Sequence, residues 1–144
     1  MARISAFFKR LFALLVAAIA AVLPVKPTPE AFAVTLSVPA VTAQTEIFEV
    51  TIHNNTAGKI SYGLDSFSID KKTPLGWKAV PKDGDYAVIM VLLSVMPGGT
   101  AQLRVNLPHF YGKTLEAGTY RFNFMYYAGS GEKKTASETF EVAA

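Results

Sequence analysis

From Val34 onward, hydrophobic and polar residues alternate with a period of two over most of the chain, the spacing that turns one face of a β-strand to a core and the other to water. Val34, Leu36 and Val38 share one parity against Thr35 and Ser37, and Phe48, Val50 and Ile52 repeat it against Glu49, Thr51 and His53. Asn54-Asn55-Thr56-Ala57-Gly58 then supplies turn chemistry. Across residues 61–70 the parity changes, with Tyr62 and Leu64 on one side and Phe67 and Ile69 on the other, which predicts a bulge or bend near Asp65-Ser66. Residues 76–80 read as a short strand fenced by Pro74 and Pro81, and Lys82-Asp83-Gly84-Asp85 as a turn. Alternation returns with Ala101, Leu103, Val105 and Leu107, then with Tyr120, Phe122, Phe124 and Tyr126. Gly129-Ser130-Gly131 turns the chain into a last strand carrying Phe140 and Val142.

Two stretches break the alternation. Residues 86–96 contain only one polar side chain, Ser94, and end at Pro97-Gly98-Gly99. A strand with one face in water does not bury both parities. The segment is therefore either covered on both faces, as in a crossing between sheets, or presents an apolar contact surface suited to self-association or strand addition. The other stretch, residues 11–25, is a continuous apolar run preceded by Arg3, Lys9 and Arg10 and followed by Ala31-Phe32-Ala33. That order is the pattern of a secretory signal peptide, with cleavage expected after Ala33. The run is shorter than the roughly 20 residues a spanning helix needs, and Pro24 interrupts its end, so no stable membrane span is expected after cleavage.

The expected organisation is a signal peptide over residues 1–33 and one domain over residues 34–144. About seven short strands separated by turns, with no long amphipathic helix, predict an all-β fold: an immunoglobulin-like antiparallel β-sandwich. The chain's 144 residues, 51% of them hydrophobic, suffice for one such core and fall short of two. The formal charge of +3 changes meaning once located. Four of the 14 basic residues and one of the 11 acidic ones lie in the first 33 positions, leaving ten of each beyond. The domain is formally neutral and has no electrostatic footprint for nucleic acid. The chain has no cysteine, which removes disulfides, cysteine catalysis and a lipid-modified cysteine from an exported setting.

Several landmarks recur in order along the domain: Val34-Thr35-Leu36, Val50-Thr51-Ile52-His53-Asn54-Asn55, Tyr62-Gly63, Ile69-Asp70-Lys71-Lys72, Gly76-Trp77, Pro97-Gly98-Gly99-Thr100 and Tyr111-Gly112-Lys113. The last, Leu115-Glu116-Ala117-Gly118-Thr119-Tyr120-Arg121, looks like a tyrosine corner, in which the phenol bonds back to nearby backbone. In this order they resemble the bacterial immunoglobulin-like domain of exported and lipid-anchored proteins. The resemblance implies a sandwich in an envelope or secreted setting and transfers no catalytic residue. A similarity to small bacterial proteinase inhibitors rests on the sandwich alone.

Candidate chemistry is sparse. The two histidines, His53 and His109, have no ligand or acid/base partner nearby in sequence and read as surface residues, His53 on the outward parity of its strand and His109 in a loop after Pro108. Asp83-Gly84-Asp85 lacks the third acid of a calcium cage, and no serine sits in a nucleophile elbow. Trp77 is expected to be buried against the sandwich in preference to standing out as a stacking residue. Met125 and Tyr127, outward on their strand, are candidates with Phe110 and Tyr111 for a binding face. No catalytic, cofactor or metal residue is assigned. The expected role is a non-catalytic extracytoplasmic module for adhesion, scaffolding or partner binding. The alternatives are an inhibitor of an exported protease and a small exported hydrolase using His53 or His109.

Overall fold

A computed structural model describes residues 33–84 and 86–144. Most of the expected signal segment, and Asp85 of the expected turn, lie outside the described residues.

Two sheets face each other, as the alternation requires. The smaller has three antiparallel strands in the order β1 (Val34–Ser37), β3 (Ile47–Asn54), β8 (Thr100–Asn106). The larger runs β2 (Val41–Thr42), β10 (Lys133–Ala143), β9 (Gly118–Tyr127), and then meets a divided strand made of β4 (Ile60–Tyr62) and β5 (Phe67–Thr73). Beyond the division, β7 (Leu93–Val95) pairs with β4 and β6 (Gly76–Ala79) pairs with β5. The division is the bend expected near Asp65-Ser66. Gly63 N–H donates to Ser66 Oγ (2.8 Å) and Ser66 N–H to the Gly63 carbonyl (3.2 Å), a tight turn that lets Tyr62 and Phe67, of opposite sequence parity, both point inward. Among the described residues ten strands stand where about seven were expected, because this strand is split in two, because the two-residue β2 leaves no alternation to read, and because β7 lies in the uniformly apolar residues 86–96.

The core follows the parities. Leu36, Val50, Ile52, Leu103 and Val105 come from the small sheet, and Phe67, Ile69, Phe122, Phe124 and Phe140 from the large one; all are buried. Phe67 stacks on Phe122 at 5.5 Å, and Tyr62 meets Phe124 edge-on at 5.1 Å. Asn54, a buried amide, is fully bonded. Its Nδ2 donates to the carbonyls of Gly58 and Val95, both at 2.9 Å, and its Oδ1 accepts from Thr56 N–H at 3.0 Å. It thereby ties the turn after β3 to β7, and the desolvation of its amide is offset.

The tyrosine corner is present. Tyr120 is buried at the start of β9 and its hydroxyl donates to the Glu116 carbonyl at 2.7 Å. A short helix not expected from the sequence, α1 (Leu107–Tyr111), follows β8. Asn106 Oδ1 accepts from His109 N–H at 3.1 Å as its N-cap, Pro108 occupies its first turn, and Gly112 ends it in the left-handed conformation at φ +79. His109 therefore lies on a helix and not in a loop. The helix also corrects the binding face proposed for Phe110 and Tyr111, since it turns both into the core, away from Tyr127, which remains exposed on the outer side of β9.

Candidate functional site

The segment joining β6 to β7, residues 80–92, changes character part-way along. Its first half is fastened to the sandwich. Val80 N–H donates to the Ile69 carbonyl at 2.9 Å, extending the β5–β6 hairpin. Lys82 then reaches back, its ammonium 4.4 Å from the Phe67 ring centre and bonded to the carbonyls of Asp65 and Phe67. Burial lowers its pKa, partly opposed by the Asp65 carboxylate. Gly84 lies against α1 and donates to the Phe110 carbonyl at 3.0 Å. A Cβ there would sit 2.1 Å from the His109 carbonyl oxygen, so only glycine allows this approach. Tyr86 packs on Phe110 with ring centres 4.8 Å apart, and His109 Nε2 lies 3.3 Å from the Ala87 carbonyl.

The second half is uncovered. Ile89 is 72% exposed, Met90 92% and Leu92 69%, while Val91 turns tightly back through a bond from its N–H to the Ile89 carbonyl at 2.9 Å. A hollow of about 270 Å³ separates these residues from Gly63, Leu64 and Asp65. A second, of about 340 Å³, runs beside β8 between Leu64 and Val88 on one side and Gln102, Arg104 and Asn106 on the other. β8 pairs only with β3, so its other edge has no strand partner among the described residues. Residues 86–96 are thus not covered on both faces throughout: Val88 packs toward the core and Val95 is buried within it, while residues 89–92 are exposed.

The remaining candidates disperse. The register of β3 on β8 sets His53 opposite Thr100 and Ile47 opposite Asn106, so His53 and the helix bearing His109 lie at opposite ends of the small sheet, about 20 Å apart along the strands. His53 Nε2 meets Ser37 Oγ at 3.1 Å. Neither histidine has a carboxylate partner among the described residues, and there no three His, Asp or Glu side chains gather around a possible metal position. Trp77 corrects the expectation of burial, being 37% exposed. Lys71 pairs with Lys78 and Lys72 with Trp77, and since the first pair points to the inner side of the hairpin, Trp77 is forced outward. There the Arg121 guanidinium covers its ring at 4.6 Å while bonding Asp70 Oδ2 through Nη2 at 2.8 Å.

The sandwich agrees with what the chain matches: the family model described as bacterial Ig-like domain covers residues 29–141. The chain belongs to this family. Family membership points to a non-catalytic module for binding or scaffolding. No curated protein matches this Ig-like chain. Among solved structures it is similar to the structural-genomics target SoR45, at 14% identity, covering 82% of this chain and 90% of the other with a TM-score of 0.49. It is also similar to the sulfur carrier protein SoxY of Chlorobium limicola f thiosulfatophilum, at 17% identity over 96% and 99% with a TM-score of 0.37. Part of the Pseudomonas fluorescens alkylpurine DNA glycosylase AlkC, in complex with DNA containing an abasic site analog, matches at 16% identity over 78% of this chain and 30% of that one, with a TM-score of 0.35. At these identities and scores the likeness does not extend to what those proteins bind. No helix among the described residues is long and apolar enough to cross a membrane.

Proposed function

We propose that this Ig-like domain is an exported, extracytoplasmic, non-catalytic binding module, and that it engages an extended apolar segment of another polypeptide through residues 89–92 and the free edge of β8. The observation that carries the reading is the exposure of Ile89, Met90 and Leu92 in one short, tethered segment that follows directly on Val88, which lines the hollow along the free edge of β8. An apolar patch of this kind gains about 25 cal/mol for each Å² it buries, and a free strand edge supplies the backbone groups that fix a partner's register. The export half of the proposal rests on the basic, apolar and small-residue pattern of residues 1–33, and intact-mass measurement of the exported product checks cleavage after Ala33.

Sedimentation of the purified protein at micromolar concentration, together with cross-linking on intact cells, tests the surface. The expected result is self-association, or cross-links mapping to residues 89–92, abolished by both Ile89→Lys and Met90→Lys while the urea midpoint stays in place. A clean monomer whose two lysine variants merely unfold would make the segment part of the core and end this reading. A protruding, tethered segment is also what an inhibitor of an exported protease would present. Near-stoichiometric loss of protease activity on titration would shift the assignment there.

A further inference from the structure

At the end of the sandwich marked by the tyrosine corner, the β5–β6 hairpin and the loop 113–116 enclose a cleft of about 280 Å³. Along β5 the inward parity runs Phe67, Ile69, Lys71, so a lysine takes the next place in a series of core residues. Its cross-strand partner is Lys78. Two like charges directly opposite each other on one face destabilise a sheet. The loop adds a third lysine, Lys113, and Thr114 to the lining, which Val80, Leu115 and Tyr120 help to complete. The one carboxylate lining the cleft, Glu116, bonds Lys71 Nζ at 3.2 Å and is itself 76% exposed, a pairing that contributes little in water. Two positive charges remain unanswered in a concave site on a domain that is formally neutral as a whole.

We infer that this cleft is an anion site and that its ligand carries a phosphoryl group. Three ammonium groups without an arginine suit a tetrahedral oxyanion, which takes point charges from several directions, better than a planar carboxylate, which favours the guanidinium fork. The threonine hydroxyl donates to a fourth direction. The volume lies at the small end of ligand pockets and admits one phosphoryl group with a modest substituent. Binding draws Lys71 from Glu116 and converts the Lys71–Lys78 repulsion into shared attraction to the ligand. The inference does not depend on residues 89–92 and stands or falls separately from them.

Amide chemical-shift titration of the purified protein at constant ionic strength tests it, with inorganic phosphate and glycerol 3-phosphate in separate arms and citrate as the carboxylate control. Saturable shifts confined to the amides around Lys71, Lys78, Lys113 and Thr114 are expected with the phosphoryl ligands, the tighter of the two identifying free phosphate or a phosphate ester as the source. Lys78→Ala and Lys113→Ala, both at exposed positions, are each expected to weaken binding by about tenfold. Glu116→Gln, which keeps the backbone carbonyl used by Tyr120, is expected to tighten it by about threefold. Shifts that never saturate, equal binding of citrate, or affinities indifferent to the lysine variants would overturn the inference.

Discussion

Residues 86–96 are more apolar than the strand β9 and about as long, yet β9 forms the centre of the large sheet while residues 86–96 stand partly in water. In β9, Tyr120, Phe122, Phe124 and Tyr126 occupy every second position, and all four are buried while the residues between them face outward. In residues 86–96 both parities are apolar, and a strand in that place offers one buried face. The chain there resolves the conflict by abandoning strand geometry until Leu93, leaving Ile89, Met90 and Leu92 outside. Periodicity, more than hydrophobicity, decides which of the two belongs to the core.

The largest effect separating the two regions is expected at Phe122. Phe122→Ala removes a fully buried ring that stacks on Phe67, and should destabilise the domain by about 3 to 5 kcal/mol in urea unfolding. A loss below 1 kcal/mol would mean that β9 is no more essential than the exposed segment. Next comes Tyr120→Phe, which leaves the Glu116 carbonyl without its donor and should cost about 1 to 3 kcal/mol with an unchanged slope. An unmoved midpoint would remove the corner from the forces that hold β9.

Alkali should act on the same side of the comparison. Burial raises the pKa of Tyr62, Tyr111, Tyr120 and Tyr126 above the ordinary value of 10.0. The unfolded chain therefore loses these protons first. Their contribution is complete below pH 10.0 and is lost as the pH rises through the higher folded values. Lys82, whose pKa burial lowers from 10.5, has the opposite sign, its folded form losing the proton first. Four phenols against one amine predict a urea midpoint that falls above about pH 10, and a Tyr111→Phe variant whose decline is shallower. Tyr111 is the sharpest case, because burial raises its pKa most and the nearby Asp70 carboxylate adds to the rise. The smallest effect belongs to the exposed region: Met90→Lys should change stability by no more than about 0.5 kcal/mol, measured by the same unfolding curves.

What the sequence made legible follows the same division. Strands with strict alternation, the bend near Asp65-Ser66 and the tyrosine corner could be read because each has a local chemical signature. Helix α1 carried one as well, Asn106 as N-cap followed by Pro108, but it sits within the continuing alternation of Leu103, Val105 and Leu107, which reads as strand. Trp77 was misjudged because the orientation of a short hairpin is set by its partner strand. Once Lys71 and Lys78 are known to share the inner face, the tryptophan's place follows. The lysine cleft was invisible for the same reason: Lys71, Lys78 and Lys113 are scattered in sequence and meet only through the β5–β6 register and the loop before β9.

The short parallel pairing of β2 with β10 has a mechanical meaning. Val41 lies beside Val142 and Thr42 beside Ala143, and Ala43 N–H donates to the Ala143 carbonyl at 2.8 Å. Tension applied to opposite ends of the domain draws β2 toward its beginning and β10 toward its end. Because the strands run in the same direction, that pull slides one along the other. Their hydrogen bonds, which lie across the line of force, then bear the load together and do not open singly as in a zipper. A pull on the N-terminal side reaches β2 only after β1, which β3 holds, so this parallel clamp is a second fastening behind the first strand.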